Sequence, residues 1–311
     1  MEEKIIVGII VSAVAFFSVY AITPVLIRAL EKRNICVKDA NKKGDVMVAR
    51  PGGISIIIGF VASLITFYLF FPISEVLAVI VTSILAFLVG IIDDRRVMGG
   101  WFKPAALAFC AAPILLLGAY DTDLYFPLFG EVKIPLLYLG LIVFMIPVMG
   151  NTINSIDVLN GVASGFTSIA SFSLTIVLFI LQNYEIGVIA LCLGLTSLAF
   201  YKYHKYPSRI FPGDSGALVF GAAYGAIAIV GQVEVIAAIA ISSSFIAYLT
   251  LSVSKISIIN DLLSSSFFSD IEFAFISLVN LSILFSLIIL LFGISSSSIF
   301  VFNEFSKFLK K

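Results

Sequence analysis

Three short clusters of acidic and amide side chains border the apolar runs of this sequence. Asp93 and Asp94 are adjacent in GIIDDRR, Asn151, Asn154, Asp157 and Asn160 recur every third residue in NTINSIDVLNG, and Asp214 stands between Gly213 and Ser215 in FPGDSGALVFG. Asp93, Asp94, Asn154, Asp157 and Asp214 offer hard oxygen donors suited to Mg²⁺, with Mn²⁺ as the alternative ion. Lys103 and Arg209 supply positive charge that fits phosphate oxygens. Carboxylates, a divalent cation and nearby basic groups are the equipment of phosphoryl transfer, in which positioning and charge stabilisation carry most of the catalysis.

Each cluster also has a plainer reading. Paired carboxylates beside Arg95 and Arg96 make an ordinary solvated helix end, and Lys103 can be a lysine whose stem lies on apolar surface while its head reaches water. Amides cap helices and shape turns, and an aspartate before an apolar run is a common N-cap. The spacing in NTINSIDVLNG argues for more. At 100° per residue, three steps turn a side chain by about 60°, so Asn151 to Asp157 cover an arc of about 120° and can line one pocket. Asn160 joins that pocket only if the helix unwinds, which the Asn160-Gly161 pair permits. The glycines around Asp214 let backbone approach a phosphate or metal, and the helix that follows presents its anion-favouring end.

Other chemistries find no support. The G-x-S-x-G pattern of a hydrolase nucleophile does not match, and the single histidine, His204, reads as an interfacial side chain. Cys36, Cys110 and Cys192 are odd in number and widely spaced, giving neither a disulfide framework nor a zinc spacing.

These clusters must be held by a membrane protein. Mean hydropathy is +1.14, and 60% of the 311 residues are hydrophobic against 12% charged, where a soluble domain carries about 25% charged residues. Spans of about 20 apolar residues are needed to cross a bilayer, and ten stretches qualify: 5–28, 53–71, 74–92, 104–120, 134–150, 161–181, 186–201, 215–231, 233–252 and 273–293. The expected fold is all-α, one polytopic bundle of about ten transmembrane helices forming a single domain over 1–311, its first helix retained rather than cleaved. With alternating helices the segments 29–52, 93–103, 151–160, 202–214 and 253–272 share one face. Of the nineteen basic residues, only Lys4, Lys133, Lys307, Lys310 and Lys311 fall on the other face. The first face is therefore predicted to be cytoplasmic, with both termini outside and the polar clusters at the cytoplasmic surface of a multi-pass cell membrane. Among the external connections, only DTDLYFPLFGEVK is long enough for a small hairpin or loop.

With these motifs in place, the sequence resembles the polyprenyl-phosphate N-acetylhexosamine-1-phosphate transferases over essentially its whole length. ARPGGISI after the first helix, GIIDDRR, NTINSIDVLNG and FPGDSGALVFG follow the family's order, and YPSRIFPGDS is similar to its eukaryotic and archaeal N-glycosylation branch. The resemblance implies transfer of N-acetylglucosamine-1-phosphate from UDP-GlcNAc to a polyprenyl or dolichyl phosphate, with Mg²⁺ as cofactor and UMP as the leaving product. It implies Asp214 and Asn154 as metal and diphosphate ligands, Lys103 as a phosphate contact, Asn160 as an amide near the uracil, and Asp93 and Asp94 as the paired carboxylates, as base, phosphate-positioning groups or metal partners. Two positions depart from the family pattern: Val97 stands where a third acid or amide is common, and 253–272 offers only Lys255 where a His- or Arg-rich motif is usual. Arg50, Arg209, Lys255 and the basic segment 38–43 are the candidates to replace that motif.

The expected partners are thus a UDP-sugar, a polyprenyl or dolichyl phosphate and the bilayer, with no nucleic acid and with a homodimer left open. The catalytic set is Asp93, Asp94 and Asp157; Lys103, Asn151, Asn160, Arg209 and Arg50 bind substrate. The host membrane is expected to be archaeal or bacterial. A bacterial-type undecaprenyl-phosphate enzyme for envelope polymers is the near alternative. A transporter or flippase is the distant one, since transporters place ionisable groups at mid-membrane in repeated halves.

Overall fold

The structure is a computed structural model that describes residues 2–39, 42, 45–96, 98–126 and 130–241. The chain opens with α1 (Glu2–Lys32), followed by a short hairpin of β1 (Cys36–Lys38) and β2 (Met47–Ala49), and then α2 (Gly53–Phe70) and α3 (Ser74–Arg95). A short pair, α4 (Phe102–Phe109) and α5 (Ala112–Leu116), leads to a second hairpin of β3 (Asp123–Phe126) and β4 (Gly130–Lys133). Then come α6 (Pro135–Ile156), α7 (Val162–Ile180), α8 (Tyr184–His204) and α9 (Gly213–Val230), and residues 234–241 are helical again.

Seven of these helices, α1, α2, α3, α6, α7, α8 and α9, are long and apolar enough to cross a membrane. Together they make an integral membrane protein that is mostly helical. The structure differs from the sequence reading in three ways. The apolar stretch 104–120 is not one span: it breaks at Cys110 and Ala111 into α4 and α5. Pro113 fits the break, because it lacks an N–H and its ring crowds the carbonyl four residues back, and it sits in the first turn of the new helix, where neither matters; Pro24 and Pro147 are instead carried inside α1 and α6. Helices also run past their apolar windows into polar sequence. Asp93 and Asp94 therefore lie in the last turn of α3, and Asn151 and Asn154 within α6, past the apolar window but on a helix as their spacing required. Two small antiparallel hairpins also accompany the all-α bundle, the first not anticipated and the second falling where DTDLYFPLFGEVK allowed one. The expected span 273–293, the segment 253–272 and most of 233–252 lie outside the described residues.

Helix α9 is the hub of the bundle. Its apolar window is 94% buried, and it packs against α2, α3, α6, α7 and α8. A helix that is apolar all round belongs inside a bundle, and here small residues let its neighbours come close. A Cβ on Gly90 of α3 would lie 2.4 Å from Ser215 Cα, and one on Gly221 of α9 would lie 2.3 Å from the Met149 carbonyl of α6. These contacts bring the polar end of α3 and the start of α9 together. In Gly221→Ala the added methyl meets backbone that must shift, so the variant is destabilised by about 1–3 kcal/mol, read as a lower apparent melting temperature in detergent. Gly140→Ala, where nothing lies within 4 Å of the added Cβ, leaves it unchanged or higher.

Candidate active site

The site is assembled at the ends of four segments. The β1–β2 hairpin delivers Arg50, because its strand continues into a strip of backbone hydrogen bonds with residues 210–212. Ala49 and Ile210 form a parallel bridge; Phe211 N–H donates to the Ala49 carbonyl at 2.9 Å, Gly52 N–H to the Phe211 carbonyl at 2.8 Å and Gly53 N–H to the Pro212 carbonyl at 2.9 Å. Arg50 is thereby laid against the first turn of α9, where Asp214 sits. The last turn of α3 brings Asp93 and Asp94 to the same point, and the first turn of α4 brings Lys103.

The result is a cluster of three carboxylates and two cations. Arg50 Nη2 lies 2.9 Å from Asp94 Oδ1 and 2.5 Å from Asp214 Oδ2, and Arg50 Nε donates to Asp94 Oδ1 at 3.1 Å. Lys103 Nζ bridges Asp93 Oδ2 at 2.7 Å and Asp214 Oδ1 at 2.6 Å, so it is not a solvated surface lysine. Asp94, its side chain 4% exposed, also accepts the backbone N–H groups of Asp214 at 2.9 Å and Ser215 at 3.0 Å. It therefore satisfies orphan donors at the N-terminus of α9, where negative charge also opposes the helix dipole. Gly213 makes that seat possible. Its φ is +71°, and a Cβ there would lie 2.7 Å from Asp94 Oδ1. Asp93 is tied by the Met98 N–H, which donates to its Oδ1 at 2.6 Å.

Beside this cluster opens a cavity of about 380 Å³ lined by residues that include Arg50, Asn154, Asp157, Asn160, His204 and Asp214. Asn160 reaches it because α6 ends at Ile156 and the chain unwinds through 157–161, closing on Gly161 at φ +88°. The unwinding that the Asn160-Gly161 pair permits is thus what occurs. Asp157 Oδ1 is buried and accepts no hydrogen bond among the described residues. Burial drives the Asp157 carboxyl well above the usual carboxylate range; Arg50 opposes the shift, and Asp214 and Asp94 add to it. His204 corrects the sequence reading: it is 1% exposed rather than interfacial. Its Nδ1 lies 2.9 Å from Ser164 Oγ and its Nε2 3.5 Å from Asp157 Oδ1, with the Phe200 and Phe211 rings beside it.

Eight of the ten residues singled out from sequence converge here: five line the cavity, and Asp93, Asp94 and Lys103 join it through the ion-pair cluster. Two do not. Asn151 turns back on its own helix and donates to the Pro147 carbonyl at 2.8 Å. Arg209 is exposed and is not among the residues that line the cavity; its backbone N–H donates to the Tyr203 carbonyl. Val97 and Lys255 lie outside the described residues. The sequence reading passed over Asp39 and Phe211, both cavity-lining. Asp39 carried one signal, an acid among the lysines of KDANKKGD, and Phe211 none beyond its place next to the Asp214 motif.

The sequence profile of glycosyl transferase family 4 matches residues 76–232, a stretch that holds every acid of the cluster. A Saccharolobus solfataricus protein provisionally named UDP-N-acetylglucosamine–dolichyl-phosphate N-acetylglucosaminephosphotransferase is 30% identical over 70% of this chain and 69% of its own. A Sulfolobus acidocaldarius protein with the same provisional name is 28% identical over 73% of this chain and 72% of its own. A Bacillus subtilis protein provisionally named undecaprenyl-phosphate N-acetylglucosaminyl 1-phosphate transferase is 27% identical over 74% of this chain and 65% of its own.

The buried Asp157 carboxyl gives the site a signature in stability. A carboxyl with a raised folded-state pKa destabilises the native state once pH exceeds its unfolded value of about 3.9, and the deficit grows until pH passes the raised value. Asp157→Asn removes the deficit. Its apparent melting temperature should exceed the parent's at pH 8, and the difference should shrink toward zero as pH falls to about 4. Turnover should fall in the same variant, the trade expected of a functional group.

Proposed function

Because this chain belongs to glycosyl transferase family 4, we propose that it transfers N-acetylglucosamine-1-phosphate from UDP-GlcNAc to a polyprenyl phosphate of the dolichyl type, releasing UMP. The observation that carries this reading is the cavity beside the Arg50–Asp94–Asp214–Lys103–Asp93 cluster, set at the ends of membrane-crossing helices. A water-soluble donor and an acceptor with its tail in lipid can meet only at such a level. The two most similar relatives described above carry dolichyl-phosphate names, which favours that acceptor over undecaprenyl phosphate. The excess of basic residues on the predicted inner side supports a site facing the cytoplasm of a cell membrane, and the apolar stretches 233–252 and 273–293 support a bundle of about ten spans in one domain.

The residues fit Mg²⁺. Among the described residues no three His, Cys, Asp or Glu side chains converge as a metal cage, but Mg²⁺ uses one or two carboxylates and takes the rest of its oxygens from water and substrate phosphates. Asp214 and Asn154, which line the same cavity, would hold it. The three clustered carboxylates exceed the two cations by one charge, which also favours a bound cation. When bound, the ion withdraws charge from the diphosphate and eases departure of UMP.

The chain's own groups then have distinct tasks. Two phosphate charges at 4 Å repel by about 4 kcal/mol at an effective dielectric of 20, and Arg50 and Lys103, already seated on Asp214, are placed to offset that repulsion. A phosphate monoester has its second pKa near 6, so an oxygen of the lipid phosphate is ionised at neutral pH and needs no base. It attacks the β-phosphorus of the donor, and the bond to the oxygen bridging the two phosphates breaks, UMP leaving with the electron pair. Asp94 holds the start of α9, and with it Asp214, in register; Asp93 holds Lys103. Asn160 and Asn154 line the cavity where the nucleotide would lie.

The test is purified protein with Mg²⁺, polyprenyl phosphates and a panel of labelled UDP-sugars, following UMP and lipid-linked product together. UDP-GlcNAc should give both in equal amounts. Asp214→Asn should lower turnover by roughly 100-fold and raise the Mg²⁺ concentration needed for half-maximal rate. No product with any donor, alongside solute uptake in proteoliposomes, would replace this reading with a transporter.

A further inference from the structure

Asp39 is a fully buried carboxylate in the connection between β1 and β2. Burying such a charge is unfavourable by several kcal/mol unless it is paired, and its pairing is informative. Asn160 Nδ2 donates to Asp39 Oδ2 at 3.0 Å, and Lys42 Nζ lies 3.3 Å from the same oxygen. Lys42 Nζ goes on to donate to the Ser208 carbonyl at 2.8 Å. One buried acid thus ties together three segments that are distant in sequence: the β1–β2 connection, the unwound turn after α6, and the connection between α8 and α9. Each contributes to the cavity wall, through Asp39, through Leu159 and Asn160, and through Phe211.

The chemistry of the contact also fixes a direction. An ionised carboxylate only accepts hydrogen bonds, so Asn160 must turn its NH₂ toward Asp39 and its carbonyl oxygen the other way. The amide rotation, usually ambiguous, is set by its neighbour. We propose that Asp39 is a positioning residue for the donor nucleotide: it orients Asn160 and anchors the β1–β2 hairpin as one wall of the nucleotide cavity. This rests on the reading of the cavity as the site of a UDP-sugar, and deepens it by naming what holds the wall.

The experiment compares the full-length parent with Asp39→Leu, Asp39→Asn, Asn160→Ala and the Asp39→Leu/Asn160→Ala double variant. KM for UDP-GlcNAc and kcat are measured at saturating polyprenyl phosphate, with UMP inhibition alongside. Loss of a hydrogen bond to a charged group predicts that Asp39→Leu raises both the KM and the UMP inhibition constant by about 10-fold or more, while kcat changes by less than about threefold. Asp39→Asn, which keeps an acceptor for the Asn160 amide, should recover most of the loss. The double variant should lose less than the sum of the two single effects, because the Asp39–Asn160 contact is removed in both. Parent-like KM and inhibition in Asp39→Leu, additive effects in the double variant, or a fall in kcat with KM unchanged would each overturn the proposal. If Asp39→Leu does not fold, Asp39→Asn against Lys42→Met decides: the proposal requires Lys42→Met to raise KM without lowering kcat more than about threefold. If the parent makes no lipid-linked product, the transferase reading falls, and UMP binding by calorimetry on the same variants decides the positioning role alone. A Kd raised about 10-fold in Asp39→Leu upholds it, whereas equal Kd values, or no UMP binding to the parent, overturn it.

Discussion

Three carboxylates meeting at one point inside a membrane protein are the constraint around which the described structure is arranged. Asp93, Asp94 and Asp214 would drive α3 and α9 apart by like-charge repulsion, at about 4 kcal/mol for a pair 4 Å apart in a partly screened environment. They stay together because Arg50 and Lys103 each touch two of them, and because the backbone N–H groups of Met98, Asp214 and Ser215 donate to what remains. No two of these stabilising groups are redundant. Arg50 arrives from the junction of β2 and α2, Lys103 from α4, and the two α9 donors from a helix end whose dipole favours the same charge.

That arrangement sets demands on packing some distance away. Asp94 reaches the α9 N–H groups only if α3 and α9 approach to backbone contact, which Gly90 allows against Ser215. Arg50 reaches both acids only because the strand from Ala49 is stitched to Ile210 and Phe211. The small hairpin β1–β2, minor by length, therefore matters to the site as much as any helix. It supplies Arg50 at one end and, through Asp39, a contact to Asn160 at the other.

On the proposed reading, the cluster is also prepared for its substrates. The donors that now hold the acids are those a diphosphate would recruit, and they are already in place and partly desolvated. Little reorganisation is then required when charge develops, which is the condition under which electrostatic stabilisation is most effective. The buried His204 and the enclosed Oδ1 of Asp157 stand behind this arrangement. Their place follows from the end of α6 at Ile156 and from the close approach that Gly161 allows to Lys205.

Local sequence determined a great deal here. Apolar length alone marks seven helices correctly to within a few residues at most ends, because a span must satisfy its own backbone in lipid. The spacing of NTINSIDVLNG identifies cavity residues, because helical geometry is local and Asn160-Gly161 is a local breaker. What sequence did not determine is which polar groups pair across the bundle. Arg50 and Asp214 are 164 residues apart, and nothing in either motif says that they share an ion pair. Nor does the sequence show that Asp94 caps α9, that Lys103 bridges two acids, that His204 is buried, or that Asn151 and Arg209 miss the cavity. Those outcomes depend on how rigid helices pack and on where a proline breaks one of them. Pairing of charges in a low-dielectric interior is a property of three-dimensional neighbours, and only the tertiary structure decides who those neighbours are.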